Sequence, residues 1–198
     1  AEDQSDYDRL TKLLDRIGKP VLISAGKETH EIIRRRLFEW DGLPKEANET
    51  IKQYSQWIIE HRDILPDWFQ TEQPDKEFAA SYPFHPLTIS VFERKWQALP
   101  KFQQTRGVLR LLAHWVSRAY RDGYKGAHKD LLIDPGTAPL DDSNFRIAVF
   151  EQLGERRVEA AVTTDIAGAT TSHAIRLDQE AGEEIKKARL HLKVATAI

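Results

Sequence analysis

Gln104-Thr105-Arg106-Gly107-Val108-Leu109-Arg110-Leu111-Leu112-Ala113-His114-Trp115-Val116-Ser117-Arg118-Ala119 decides the fold class. Val108, Leu111, Leu112, Trp115 and Ala119 recur at steps of three and four, the period of an amphipathic helix. The spacing predicts a helix from about Gln103 to Asp122-Gly123, the longest such run in the chain. Trp115 lies on the apolar stripe and is predicted to be buried. Arg106, Arg110, His114 and Arg118 lie four apart and share a face opposite that stripe. Two arginines at this spacing repel by a few tenths of a kcal/mol, roughly, a penalty that a bound anion or a carboxylate removes. Arg106 and Arg110 also stand near the helix start, where the macrodipole favours anions. An arginine reaching a γ-phosphate stabilises transferring charge. The plainer reading is a solvated face with a few ion pairs.

Working outward, Tyr82-Pro83-Phe84-His85-Pro86 lies a short way upstream. His85 reads there as a helix-start or core histidine rather than a catalytic base. Prolines break the stretch from Pro74 to Pro86. Leu87, Val91, Phe92 and Trp96 predict a helix stopped at Leu99-Pro100. Nearer the start, Tyr7, Leu10, Leu13, Leu14 and Ile17 predict a helix closed by Gly18. Pro20-Val21-Leu22-Ile23-Ser24 is the best strand candidate of the first half. Ile32, Ile33, Leu37 and Trp40 mark a helix ended by Asp41-Gly42 and Pro44. Ile51, Tyr54, Trp57 and Ile58 mark another, ending before Pro66. Beyond the Asp134-Pro135-Gly136 loop, Phe145 to Leu153 and Glu183 to Ala197 read as helices. Val158 to Ile166 reads equally as strand or helix. The expected fold is mainly α: a helical bundle with a short strand at its N-terminal side, then a small helical or α+β C-terminal region. The expected divisions are residues 1–25, 26–125 and 126–198, with a boundary near 125–142.

The chain has 198 residues, enough to bury a real core as one large domain or two small ones. Hydrophobic residues make up 40% and charged residues 30%, an ordinary globular balance rather than a disordered one. The net charge of −2 gives no global electrostatic case for nucleic acid, so any basic site acts locally. There is no cysteine, which excludes disulfides, thiolate zinc sites and cysteine nucleophiles and fits a reducing, cytoplasmic setting. No apolar run approaches the roughly 20 residues of a membrane span. There is no methionine, and the closing Lys193-Val194-Ala195-Thr196-Ala197-Ile198 stops inside an apolar pattern. Both features read as a piece excised from something longer.

Ser24-Ala25-Gly26-Lys27-Glu28-Thr29 imitates the phosphate-cradling loop. Val21 stands where the first loop glycine is required, and Thr29 is one place late. Without that glycine the backbone amides cannot wrap a phosphate, so an ordinary strand-to-helix turn is expected. Arg34-Arg35-Arg36 fan around one helix and cannot form one patch, so they are weaker phosphate-sensing candidates. The histidines stand singly, and none shows the His-x-x-x-His spacing of a zinc helix. No metal ligand set is expected. Ser90, Ser117 and Ser172 lie in no nucleophile elbow. Asp165, in Val162-Thr163-Thr164-Asp165-Ile166, reads as a strand-end ligand or a turn cap.

At Arg34-Arg35-Arg36-Leu37-Phe38, Tyr82-Pro83-Phe84-His85-Pro86 and Gln104-Thr105-Arg106-Gly107-Val108-Leu109-Arg110, the chain resembles a known family. It is similar to the large bacterial and archaeal AAA+-type P-loop ATPases catalogued as domain of unknown function four-nine-nine. The similarity extends through Val162-Thr163-Thr164-Asp165-Ile166-Ala167-Gly168 and Ala188-Arg189-Leu190. The resemblance implies a nucleotide-binding core and a helical lid, ATP and magnesium in the parent protein, and association with DNA-modification and defence loci. It maps the lid's sensor-2 arginine onto Arg110, with Arg106 beside it. It makes residues 1–25 the trailing edge of the ATPase core, 26–125 the lid and 126–198 the start of a downstream helical domain. The chain departs from the whole-protein pattern in lacking both Walker segments. No catalytic residue or cofactor is therefore expected within it, and its partner is the rest of the parent, with DNA, a DNA-modification protein or further copies beyond that. The alternative is a non-catalytic module that binds nucleic acid or protein through the Arg106 to Arg118 face.

Overall fold

The computed structural model of the protein describes residues 25–69, 71–92, 106–126, 130–154, 156–168 and 170–198. The expected helix at Tyr7 to Ile17, the strand at 20–24 and the end of the helix at Trp96 lie outside them. Among the described residues the chain is mainly α, with no strand and one isolated parallel bridge, Phe84 to Ile133.

The first helix among the described residues, α1 (Ala25–Leu37), packs on α5 (Arg106–Tyr124). Gly26 and Lys27 are inside α1, not in the expected strand-to-helix turn. Trp40 lies beyond its end and stacks on Phe38, with ring centroids 4.4 Å apart. The helix α2 (Ala47–Glu60) packs against α3 (Pro74–Ser81). The region expected to be broken by prolines thus contains a helix. Pro74 sits in its first turn, where the missing N–H costs nothing and the fixed φ is already helical. The short α4 (Pro86–Ser90) starts the same way behind His85.

Downstream, α6 (Ser143–Leu153) matches its expected range, and the caps explain why. The Asp142 carboxylate accepts from Asn144 N and Phe145 N at 2.8 and 3.2 Å. Gly154 ends the helix at φ 72°, a left-handed conformation that glycine adopts freely. Val158 to Ile166 resolves as helical. A 3-10 turn leads into α7 (Glu159–Ala161) and a wide π-type turn, Val162–Ile166, with Asp165 exposed on it. Then come α8 (His173–Glu180), α9 (Glu183–Ala188) and α10 (Leu190–Ala197).

The expected single helix from Glu183 to Ala197 is broken at Arg189, which takes φ 52°. Periodicity could not show this break, because its cause lies in another helix. The Asp178 carboxylate of α8, only 5% exposed, accepts from His191 N at 2.9 Å and Leu192 N at 3.1 Å. It caps the start of α10 from outside, and a cap needs the chain to turn before it. Asp130 holds the far side through Arg189 at 3.5 Å and through Lys193.

The main core joins both sides of residue 126. Ile33, Phe84, Ile89, Val108, Leu111, Leu112 and Trp115 share it with Ile133, Phe145, Ala148 and Val149. A second cluster, of Ala47, Ile51, Ile58, Phe78 and Leu132, fills the space under α2 and α3. Trp115 is 5% exposed, as its place on the stripe predicts.

Candidate functional site

The long α5 anchors one face and displays the other. Val108, Leu111, Leu112 and Trp115 are buried. Arg110, Ala113, Ser117, Tyr120, Arg121 and Tyr124 are exposed. Gly107 lets α6 approach closely: a Cβ there would stand 2.4 Å from Gln152 Oε1. Arg106 opens the helix.

The four-residue series of basic side chains divides into two kinds. Arg118 is consumed by carboxylates, at 2.8 Å to Asp122 and 2.6 Å to Asp141. Burial works against its charge, but hydrogen bonds to Asp141 and Asp122 outweigh this and raise its pKa. Arg110 is exposed and makes no ion pair with another described residue. His114 lies half-buried between them. Tyr120 and Tyr124 stack beyond, with centroids 6.2 Å apart.

The weaker candidates form no common patch. Arg34 is half-buried and lines a small crevice beside Tyr82 and Phe84. Arg35 and Arg36 are exposed in the last turn of α1. Among the described residues no three His, Asp or Glu side chains converge as a metal ligand set.

The Tyr-Pro-Phe-His-Pro segment is a clamp. His85 N donates to Ile133 O at 3.0 Å, and Ile133 N donates to Pro83 O at 2.9 Å. The Thr88 hydroxyl donates to the same Ile133 carbonyl at 2.8 Å, so both of its lone pairs are used. His85 Nδ1 accepts from Leu87 N at 3.2 Å, capping α4. Rings of Phe78, Phe69 and Tyr54 surround the imidazole at 5.2, 5.8 and 6.2 Å. The sequence reading of His85 as a helix-start and core histidine matches this geometry.

Burial lowers the His85 pKa to about 4. The unfolded chain therefore binds more protons than the folded one between pH 6.5 and 4, and stability falls as pH drops through that window. The full difference is worth about 3 kcal/mol. His30, also lowered by burial against the pull of Glu77, adds a change of the same sign. His85→Asn retains a side-chain acceptor at the cap and does not titrate. Urea unfolding at pH 7, 5.5 and 4 should show a smaller acid loss for this variant than for the natural chain. Parallel curves would mean that His85 is not held neutral.

The remaining motif has a packing role too. At Gly168, whose φ is 136°, an added Cβ would stand 3.2 Å from Arg146 Nη1. That guanidinium donates to Leu140 O at 2.6 Å. The sequence singled out the charged residues of α5, but gave no sign that an aromatic surface on α2 would stay open. Trp57, one of the residues that mark α2, is 47% exposed.

A family model described as DUF499 second domain matches residues 24–198. No curated protein and no solved structure matches the chain. The match takes in the clamp, the Arg110 helix and the Gly168 turn, so that this chain belongs to the DUF499 family, whose second domain it carries.

Proposed function

We propose that this domain is the helical lid and adjoining region of an AAA+-type ATPase, and that Arg110 is its phosphate-sensing arginine. The observation that carries the reading is the contrast within one helix. Arg118 is neutralised by two carboxylates, whereas Arg110 stands exposed on a helix whose opposite face is locked into the core. A cation held on a rigid element and free to meet a γ-phosphate is what transition-state charge stabilisation requires. On this reading ATP and magnesium are held by the rest of the parent. This chain would supply the arginine and the moving body that carries it. Arg106, one turn earlier on the same helix, is the second candidate. The work done on hydrolysis would be remodelling of a protein or DNA partner in the cytoplasm, a setting supported by the absence of cysteine. The test is turnover of the full-length ATPase carrying Arg110→Ala; a normal rate removes the reading.

One observation favours the alternative of a nucleic-acid or protein binding module. The exposed Tyr120–Tyr124 stack shares its helix face with Arg110 and Arg121, as in platforms that stack bases beside bound phosphates. That reading expects Arg121→Ala and Arg110→Ala to act alike. The lid reading expects only Arg110 to matter for turnover.

A further inference from the structure

A second surface, away from α5, is built to hold something. Tyr54 and Trp57 of α2, Trp68 and Phe69 of the 3-10 turn, and His85 and Leu87 of the clamp line a groove of about 580 Å³. Its walls are almost wholly apolar or aromatic. Trp57 and Trp68 form its lips and are 47% and 64% exposed. Ile64 also lies exposed, on the connection that follows α2. Folding alone gives no reason to leave two tryptophans and an isoleucine this open within a dozen residues, since burying each would be favourable.

The floor is rigid. His85 is fixed by its backbone bond to Ile133 and by three surrounding rings, and Tyr54 packs on Phe78 at 5.6 Å. The groove is thus preformed, which lowers the ordering cost of filling it.

The charge along its α2 edge has one sign. Glu46, Glu49 and Glu60 fall on the flank of α2 that carries Gln53 and Trp57, at helical steps of three and four. Gln53 donates to Glu49 at 2.9 Å and Gln56 to Glu60 at 2.8 Å, so the carboxylates are held along this edge by neutral partners. Of the nearby bases, Lys52 lies on the opposite side of α2, and Arg62 donates to Thr71 O at 3.4 Å.

We infer that this groove docks a basic amphipathic peptide segment of a partner protein, its apolar side chains entering between Trp57 and Trp68 and its lysines or arginines meeting Glu49 and Glu60. Apolar anchors in a preformed groove supply the affinity, and rim charge supplies orientation and selectivity. The proposal is independent of the nucleotide reading, because no residue of α5 takes part.

The test uses the 198-residue chain and three labelled helical peptides. One carries leucines on one face and lysines on the other, one replaces every lysine with glutamate, and one has the first composition scrambled so that no apolar face forms. Fluorescence anisotropy at low and high salt is the readout. The lysine peptide should bind at least tenfold more tightly than either control, and more weakly as salt rises. Trp68→Ala should cost at least tenfold in affinity, with an unchanged melting temperature because the side chain is mostly exposed. Glu49→Lys with Glu60→Lys should reverse the preference toward the glutamate peptide. Equal binding of the scrambled or glutamate peptide overturns the proposal, as does normal binding by Trp68→Ala. A dimer that sediments as monomer after Trp68→Ala also overturns it, since the groove would then be covered by a second copy.

Discussion

Trp115→Ala should unfold the domain at a temperature roughly 10 °C below that of the natural chain. The side chain is 5% exposed and meets Phe145 edge to face at 5.8 Å. Its Nε1 donates to the Thr137 hydroxyl at 3.1 Å, and that hydroxyl in turn donates to Asp134 O at 2.8 Å. Removing the indole leaves a cavity where α5, α6 and the 130–141 loop converge. A buried Trp→Ala change costs about 3–5 kcal/mol, and about 2–4 °C accompanies each kcal/mol for a chain of this size. Trp115→Phe refills most of the space and loses the hydrogen bond, so it should cost about 1 kcal/mol. Melting followed by circular dichroism checks both. A Trp115→Ala chain that melts with the natural one would mean that α5 turns a different face to the core.

If the full-length parent is the ATPase proposed above, Arg110→Ala should lower its turnover by about two orders of magnitude, the usual effect of deleting a transition-state charge donor. The fold should not notice, because Arg110 is exposed and off the apolar stripe. Arg118→Ala is the comparison, and it inverts the pattern. It strands Asp122 and Asp141, so it should soften the α5 to loop contact while leaving turnover near normal. The assay belongs well below the melting temperature of both variants. Equal, near-normal rates would return Arg110 to the status of a surface arginine.

Much of this fold was legible in the sequence, and the reason is visible element by element. The stripe of α5 and the Asp142 and Gly154 caps of α6 are local signals, so they appear where the residues say. What stayed hidden depends on distant groups. The break at Arg189 is set by Asp178 and Asp130, which no window around Arg189 contains. The helix at Pro74 was misread because a proline that ends one helix is also suited to begin another. Trp57 helps to mark α2 by its spacing, but spacing does not tell that it stays 47% exposed. The site shows the same limit. The series of arginines was plain, but only the structure shows that Asp122 and Asp141 occupy Arg118 while no described residue pairs with Arg110. The Tyr-Pro-Phe-His-Pro motif is conspicuous as a string, and its work as a clamp on Ile133 needs the fold to be seen.

The account stands or falls on whether Arg110 meets the terminal phosphate of a bound nucleotide. An ATP analogue bearing a photoreactive group on its γ-phosphate, mixed with the full-length parent protein and irradiated, tests this directly. The adduct should map by peptide mass spectrometry to the first turns of α5, within residues 106–113, and should disappear when unmodified ATP competes. Labelling that competes with ATP yet falls wholly outside α5 would contradict the assignment of this helix to the nucleotide.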